Sequence, residues 1–183
     1  MKVFGFCGLP GSGKTTAIMA IKDLGEIITM GDVIRQEARR RGLEPTNENL
    51  GKLAIELRIK NGEEFIAEKC VELIKKLNNE IVFIDGIRSI SELKVFRKYW
   101  KFPLIAIKTK KKIRYKRIIN RSRSDDSRII KQIKQRDKRE INLGLKKVIK
   151  KSDYVIYNNN SEEELKKKVR TLILKLMNSK QGI

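Results

Sequence analysis

Short apolar runs that alternate with longer helical patterns, a glycine-rich turn that closes the first of them, and a length suited to one core together predict an α/β fold. The sheet is expected to be parallel, with helices on both faces. The runs are Lys2 to Cys7, Glu26 to Thr29, Ile81 to Ile84, Pro103 to Lys108 and Tyr154 to Tyr157. The intervals between them leave room for crossover helices, which parallel neighbours require. The chain has 183 residues, one domain's length, enough to bury about 70% of its unfolded surface. No Pro/Ser-rich linker and no internal repeat divides it, so residues 1–183 are expected to form a single domain.

The first strand leads into Gly8-Leu9-Pro10-Gly11-Ser12-Gly13-Lys14-Thr15, which fills the pattern G-x-x-x-x-G-K-[ST]. This is a P-loop. Its glycines let the backbone curl until N–H groups point inward at phosphate oxygens, where a side chain would obstruct approach. Lys14 can reach the β- and γ-phosphates, and Thr15 can offer its hydroxyl to Mg²⁺. The helix opening at Thr16 presents its positive end to the same charge. Residues Gly8 to Thr16 are therefore the expected nucleotide-binding segment, with ATP and Mg²⁺ as the cofactors.

Composition limits the chemistry. There is no histidine, so the commonest general base and metal ligand are missing, and carboxylates, Lys, Arg and a ligand-borne metal must serve. Phosphoryl transfer suits that set, because it needs positioning and charge neutralisation more than proton shuttling. Cys7 and Cys70 lack metal-ligand spacing and are expected to be reduced, packed thiols. No run is long enough to cross a membrane, and the N-terminal apolar stretch is short and broken by glycine, so a cytoplasmic protein is expected. Formal charge is +21, of which +15 lies between Lys108 and Lys151. That stretch could hold nucleic acid, a polyanionic substrate, or only solvent. Aromatic residues within it are sparse, which makes nucleic acid the less favoured partner.

After the second strand, Met30-Gly31-Asp32-Val33-Ile34-Arg35 resembles the T-G-D-x-x-R motif of adenylate kinases. In that family the arginine grips the acceptor phosphate, which implies the role for Arg35, with Asp32 beside it. Asn49-Leu50-Gly51-Lys52 resembles the segment that follows. The third strand delivers Asp85 at its C-terminal end, where parallel sheets place ligands, and Asp85 is expected to reach Mg²⁺. Asp85-Gly86-Ile87-Arg88 resembles the D-G-x-x-R motif of adenylate kinases with one residue fewer before the arginine, and this implies an acceptor-binding Arg88. Ser89-Ile90-Ser91-Glu92 reads as a capping box opening a helix. Glu92 also stands where adenylate kinases place a base-reading glutamine, so both readings stay open, with the cap favoured.

Beyond the fourth strand, Arg117 and Arg121 share one helix face. This R-x-x-x-R resembles the entry to the lid of nucleoside-monophosphate kinases, and Arg123 with Asp125 and Asp126 resembles the lid's exit, which implies that Arg117, Arg121 and Arg123 neutralise the transferring phosphoryl group. From Ser127 to Lys151 a basic helical pattern runs on, interrupted near Asn142 to Gly144, with Arg136-Asp137 and Arg139-Glu140 as further candidates. The closing strand, an asparagine turn and a helix opened by Ser161-Glu162-Glu163-Glu164 resemble the ending of dephospho-CoA kinases. In that superfamily the turn frames the adenine, which implies Asn158 to Ser161 here.

The resemblance covers most of the chain and identifies it as similar to a small archaeal family of P-loop kinase-like proteins, related to adenylate and other nucleoside-monophosphate kinases and to dephospho-CoA kinase. It implies a P-loop NTPase fold with five parallel strands ordered 2-3-1-4-5, an acceptor-binding insert over residues 31–60 and a short lid over 110–128. The expected function is transfer of the γ-phosphoryl group of ATP to a small phosphate-bearing acceptor, a nucleoside monophosphate leading. Lys14, Arg117, Arg121, Arg123 and Asp85 would act in catalysis. A hydroxyl acceptor, with Asp32 or Asp85 taking the proton, is one alternative. A nucleotide-dependent switch or RNA-associated ATPase is another.

Overall fold

The computed structural model describes residues 1–121 and 129–178. Five strands, β1 (Lys2–Cys7), β2 (Glu26–Thr29), β3 (Ile81–Asp85), β4 (Leu104–Lys108) and β5 (Tyr154–Tyr157), form one sheet in the order β2-β3-β1-β4-β5. Every pairing is parallel, so all five C-terminal ends share one edge. This is the order that the family resemblance implies.

The unbroken apolar character of β1 follows from its central place, because both faces are covered. Val3 and Cys7 enter one core and Phe4 and Phe6 the other. The first core packs the sheet against α2 (Met30–Arg40), α3 (Asn47–Asn61), α4 (Phe65–Lys75), α5 (Ile90–Tyr99) and α8 (Leu145–Lys150). The second packs it against α1 (Lys14–Met19) and α9 (Glu162–Asn178). The expected insert, 31–60, is built from α2 and α3, which pack on each other and on α4. Cys7 and Cys70 are free and buried, and burial pushes both thiols up to about 12.

Between β4 and β5 come α6 (Lys111–Arg121), α7 (Ile130–Asn142) and α8. The expected break near Asn142 to Gly144 is present: α7 stops at Leu143, and Gly144, with φ of 106°, turns the chain into α8. The part of the expected lid from 122 to 128 lies outside the described residues.

The capping box at Ser89 forms as read from the sequence, and it does more than cap. Glu92 accepts from the Arg88 and Ser89 backbone N–H groups at 2.7 and 3.1 Å. Its other oxygen takes a 2.5 Å bond from Arg58 of α3, and both side chains are buried. Glu92 thus fixes α3 to α5 and is not available to read a base. Removing one partner of a buried ion pair leaves the other uncompensated, at a cost of about 3–5 kcal/mol, whereas loss of an N-cap hydroxyl costs about 1 kcal/mol. Glu92→Ala should therefore lower unfolding free energy, measured by urea denaturation, by several times the loss caused by Ser89→Ala. Equal small losses would show that the Arg58 pairing contributes nothing.

Candidate functional site

The P-loop sits at the C-terminal edge of the sheet, between β1 and α1. Gly8, Gly11 and Gly13 all have positive φ. Gly13 shows why no other residue serves: its φ is 100°, and a Cβ there would lie 2.2 Å from Asn158 Nδ2. The loop's carbonyls are taken up by surrounding elements. Arg114 donates to Pro10 O at 2.6 Å, Thr109 Oγ1 to Ser12 O at 2.8 Å, and Asn158 Nδ2 to the same oxygen at 2.9 Å. With those carbonyls engaged, and no side chain capping α1, amide N–H groups remain as the loop's donors, as an anion site requires. Lys14 Nζ donates to Gly8 O at 2.7 Å. Burial holds its ammonium pKa below the usual lysine value, opposed by the nearby Asp85 carboxylate.

On one side of the loop lies a cavity of about 330 Å³ lined by Lys14, Thr15, Arg35, Asp85, Arg88, Arg136 and Glu140, among others. A smaller recess of about 70 Å³ adjoins it between α2, α3 and α7, sharing Arg35, Arg88, Arg136 and Glu140 and adding Arg139. Arg35 is steadied by Asp32, whose Oδ1 accepts from Nε at 2.9 Å and Nη2 at 2.7 Å. Arg88 Nε pairs with Glu140 Oε2 at 3.2 Å. Arg139 is seated against a notch in α3: a Cβ on Gly51 would fall 2.5 Å from its guanidinium carbon. Burial lowers its pKa, with Arg136 and Arg88 adding to the effect against Glu140. These residues come from α2, from the turn after β3 and from α7; the first two follow strands that end at this edge.

The carboxylate of Asp85 bears on whether a metal fits here. Its Oδ1 is buried and has no hydrogen-bond partner, in a cavity that Thr15 also lines. An unpaired anionic oxygen beside a hydroxyl and a phosphate-binding loop is the donor set that a hard divalent cation takes. Thr15 and Asp85 therefore fit Mg²⁺.

On the other side of the loop lies a larger cavity, about 740 Å³, lined by Gly11, Gly13, Thr15, Thr16, Arg117 and the Asn158–Asn160 turn, among others. Arg117 donates to Asn158 O at 3.2 Å, and to Asn158 Oδ1 and Asn160 O at 3.4 Å.

The structure thus brings together Lys14, Thr15, Asp85, Arg35 and Arg88, with Gly8, Pro10, Gly11 and Gly13 forming the shared wall. Asp32 stands behind Arg35. Leu9 packs on the core, and Ser12 is buried with its Oγ unpartnered. Arg117 stands apart, on the side of Asn158 and Thr16. The side chain of Arg121, and Arg123, Asp125 and Asp126, lie outside what is described. Of the further candidates in the basic helical pattern, Arg136 and Glu140 line the main cavity and Arg139 the recess; what escapes the sequence reading is the Arg114–Asp137 pair, in which buried Arg114 holds Asp137 at 3.0 and 2.5 Å while it grips Pro10. A signal existed, because Ile133, Asp137 and Glu140 fall at i, i+4 and i+7, so two acids occupy positions where an apolar stripe would be expected.

Residues 7–140 match the AAA domain family. A UPF0200/UPF0201 protein of Archaeoglobus fulgidus is 45% identical over 96% of this chain, which spans 56% of that protein's length. A UPF0200 protein of Methanosarcina mazei is 39% identical over 94% of both chains. Among solved structures, shikimate kinase from Acinetobacter baumannii in complex with shikimate has the same fold, with a TM-score of 0.63, 17% identity, and coverage of 98% of this chain and 96% of that one. The loop, the strand order and the match over residues 7–140 agree: this chain, which has a P-loop kinase-like fold, belongs to the AAA domain family and, with its archaeal relatives, to the UPF0200 proteins.

Proposed function

We propose that this chain transfers the γ-phosphoryl group of ATP to a small acceptor that already carries a phosphate, with nucleoside monophosphates the first acceptors to consider. The observation that carries the reading is the joining of Arg35, Arg88 and Arg136 to Lys14 and Asp85 in one cavity. That cavity offers four cations to the phosphates of donor and acceptor. The larger cavity beside the Asn158–Asn160 turn would take the nucleotide's base and ribose.

An oxygen of the acceptor phosphate, already anionic, forms the new bond to the γ-phosphorus as the bond to the β–γ bridging oxygen breaks and ADP departs. No proton need be removed first. Mg²⁺ held by Thr15 and Asp85 would supply charge neutralisation at the phosphates. Lys14 draws off charge at the γ-phosphoryl oxygens, while Arg35 and Arg88 hold the acceptor. The hydroxyl-acceptor alternative finds less support. It needs a carboxylate free to take a proton, yet Asp32 already accepts from Arg35 and Glu140 from Arg88, and Asp85 is the carboxylate that the cation would take.

A panel of nucleoside monophosphates and other small phosphate esters, offered with Mg²⁺-ATP and scored for ADP release, tests the reading. Failure of every phosphorylated acceptor alongside turnover with a hydroxyl compound would refute it. With the best acceptor, Lys14→Ala should cut kcat by roughly a hundredfold or more, as loss of one donor to a developing charge does. Circular dichroism should report an intact fold.

The two cavities also predict a division of labour. Arg35→Ala and Arg88→Ala should each raise the acceptor KM by about tenfold or more and leave the ATP KM within about twofold, as loss of one charge-assisted contact implies. Arg117→Ala should do the reverse, chiefly weakening ATP. Parallel losses for both substrates in all three variants would mean that these arginines act through the fold.

A further inference from the structure

The lysines of α7 and α8 form the densest run of exposed positive charge among the described helices that line the site. Residues 129–151 include nine basic and two acidic side chains, and both acids are buried: Asp137 holds Arg114 and Glu140 holds Arg88. Lys131, Lys134 and Lys138 of α7 are all exposed. So are Lys146, Lys147 and Lys150 of α8 and Lys151 directly after it. Among the described residues none of the seven has a carboxylate partner. Some exposed lysines on α3, α4 and α9 are set against acids, as in Lys52–Glu48, Lys69–Glu72 and Lys166–Glu162. The exposed charges of α7 and α8 are thus all of one sign.

Spacing makes this face costly by itself. Lys131, Lys134 and Lys138 fall at i, i+3 and i+7, one stripe along α7, and Lys146/Lys150 and Lys147/Lys151 are neighbours one turn apart. Like charges at those spacings destabilise a helix. A polyanion laid along the face removes that penalty and releases its own condensed counterions.

We propose that the α7–α8 face docks RNA. The phosphate backbone meets the lysines, and exposed amides on the same turns of α7, Gln132, Gln135 and Asn142, can both donate to and accept from a 2′-hydroxyl, which DNA and lipid headgroups lack. The inner side of α7 carries Arg136 and Glu140 into the cavity, so docked RNA would lie across the helix from the proposed acceptor site without entering it. This inference is independent of the phosphotransferase reading. Ile130 and Ile141, near the ends of α7, are exposed too, and for that reason anionic vesicles are the competing arm of the test.

Fluorescence anisotropy of the full chain with a labelled, unstructured RNA of about 25 nucleotides provides that test. Engagement of four or five of the lysines should give a slope of log affinity against log salt of about −3. DNA of the same sequence should bind more weakly, and phosphatidylglycerol vesicles should not compete. Replacing the seven lysines by glutamine should lower RNA affinity by about tenfold or more, with binding of a fluorescent ATP analogue unchanged. The α7 and α8 sets made separately should each lose part of it, so that the result does not depend on one heavily altered variant. A control, Lys22, Lys60, Lys76 and Lys175 all to Gln, should stay within about twofold of the parent, since those sites lie off the face. Absence of RNA binding at low salt, equal loss in the control, or preference for DNA or vesicles would overturn the proposal.

Discussion

Arg114 holds together three segments that the sequence keeps far apart. From α6 it donates to the Pro10 carbonyl of the P-loop and, through both Nη atoms, to the two oxygens of Asp137 on α7. It is 3% exposed, and burial of that charge is tolerated because both Nη atoms are bonded to a carboxylate and a carbonyl. The consequences reach the site in two directions. Engaging the Pro10 carbonyl helps leave amide donors free for an anion. Anchoring Asp137 fixes the rotation of α7, and that rotation is what carries Arg136 and Glu140 into the cavity one turn away.

With that anchor in place, the P-loop becomes a wall between two cavities of different character. One is bordered by asparagines, with Leu165 and Ile113 supplying apolar surface, Arg117 bonded to backbone carbonyls, and Lys116 and Glu162 of opposite sign. The other is ringed by arginines with Asp85 and Glu140 among them. A neutral planar group suits the first and phosphate the second, which is the asymmetry a donor nucleotide and a charged acceptor need. Glu92, tied to Arg58, sets the position of Arg88 through its backbone N–H, so the insert and the arginine beside it keep one spacing.

The strands were legible because each is short, apolar and followed by a longer helical pattern, and the P-loop because its glycines and lysine have a fixed spacing. The strand order was not written in any periodicity; it came with the family resemblance and agrees with the sheet. Asp85 was legible because it ends a strand at the ligand edge, and Arg35 through the likeness of its segment to the adenylate-kinase motif. Arg136 and Arg139 lie in a helix so basic that no single arginine stands out. Their role depends on which way α7 faces, and only the two acids in apolar register, Asp137 and Glu140, record that. Arg117 was legible as part of a helical pair, but its direction was not. A side chain of that length reaches the asparagine turn or the phosphates from one backbone position, and spacing does not choose between them.

The two faces of α7 are linked energetically. Outwardly it carries lysines in a stripe that repels itself, with no acid in its first turn, so neither propensity nor surface pairing accounts for its stability. Inwardly it buries Ile133, Asp137 and Glu140, and the last two exchange charge-assisted bonds with Arg114 and Arg88. Those bonds must offset both the desolvation of four charges and the repulsion outside. A helix this basic therefore folds because the site beneath it supplies arginines to its carboxylates. In turn the site keeps its shape because α7 cannot rotate without stripping a buried carboxylate of its partner.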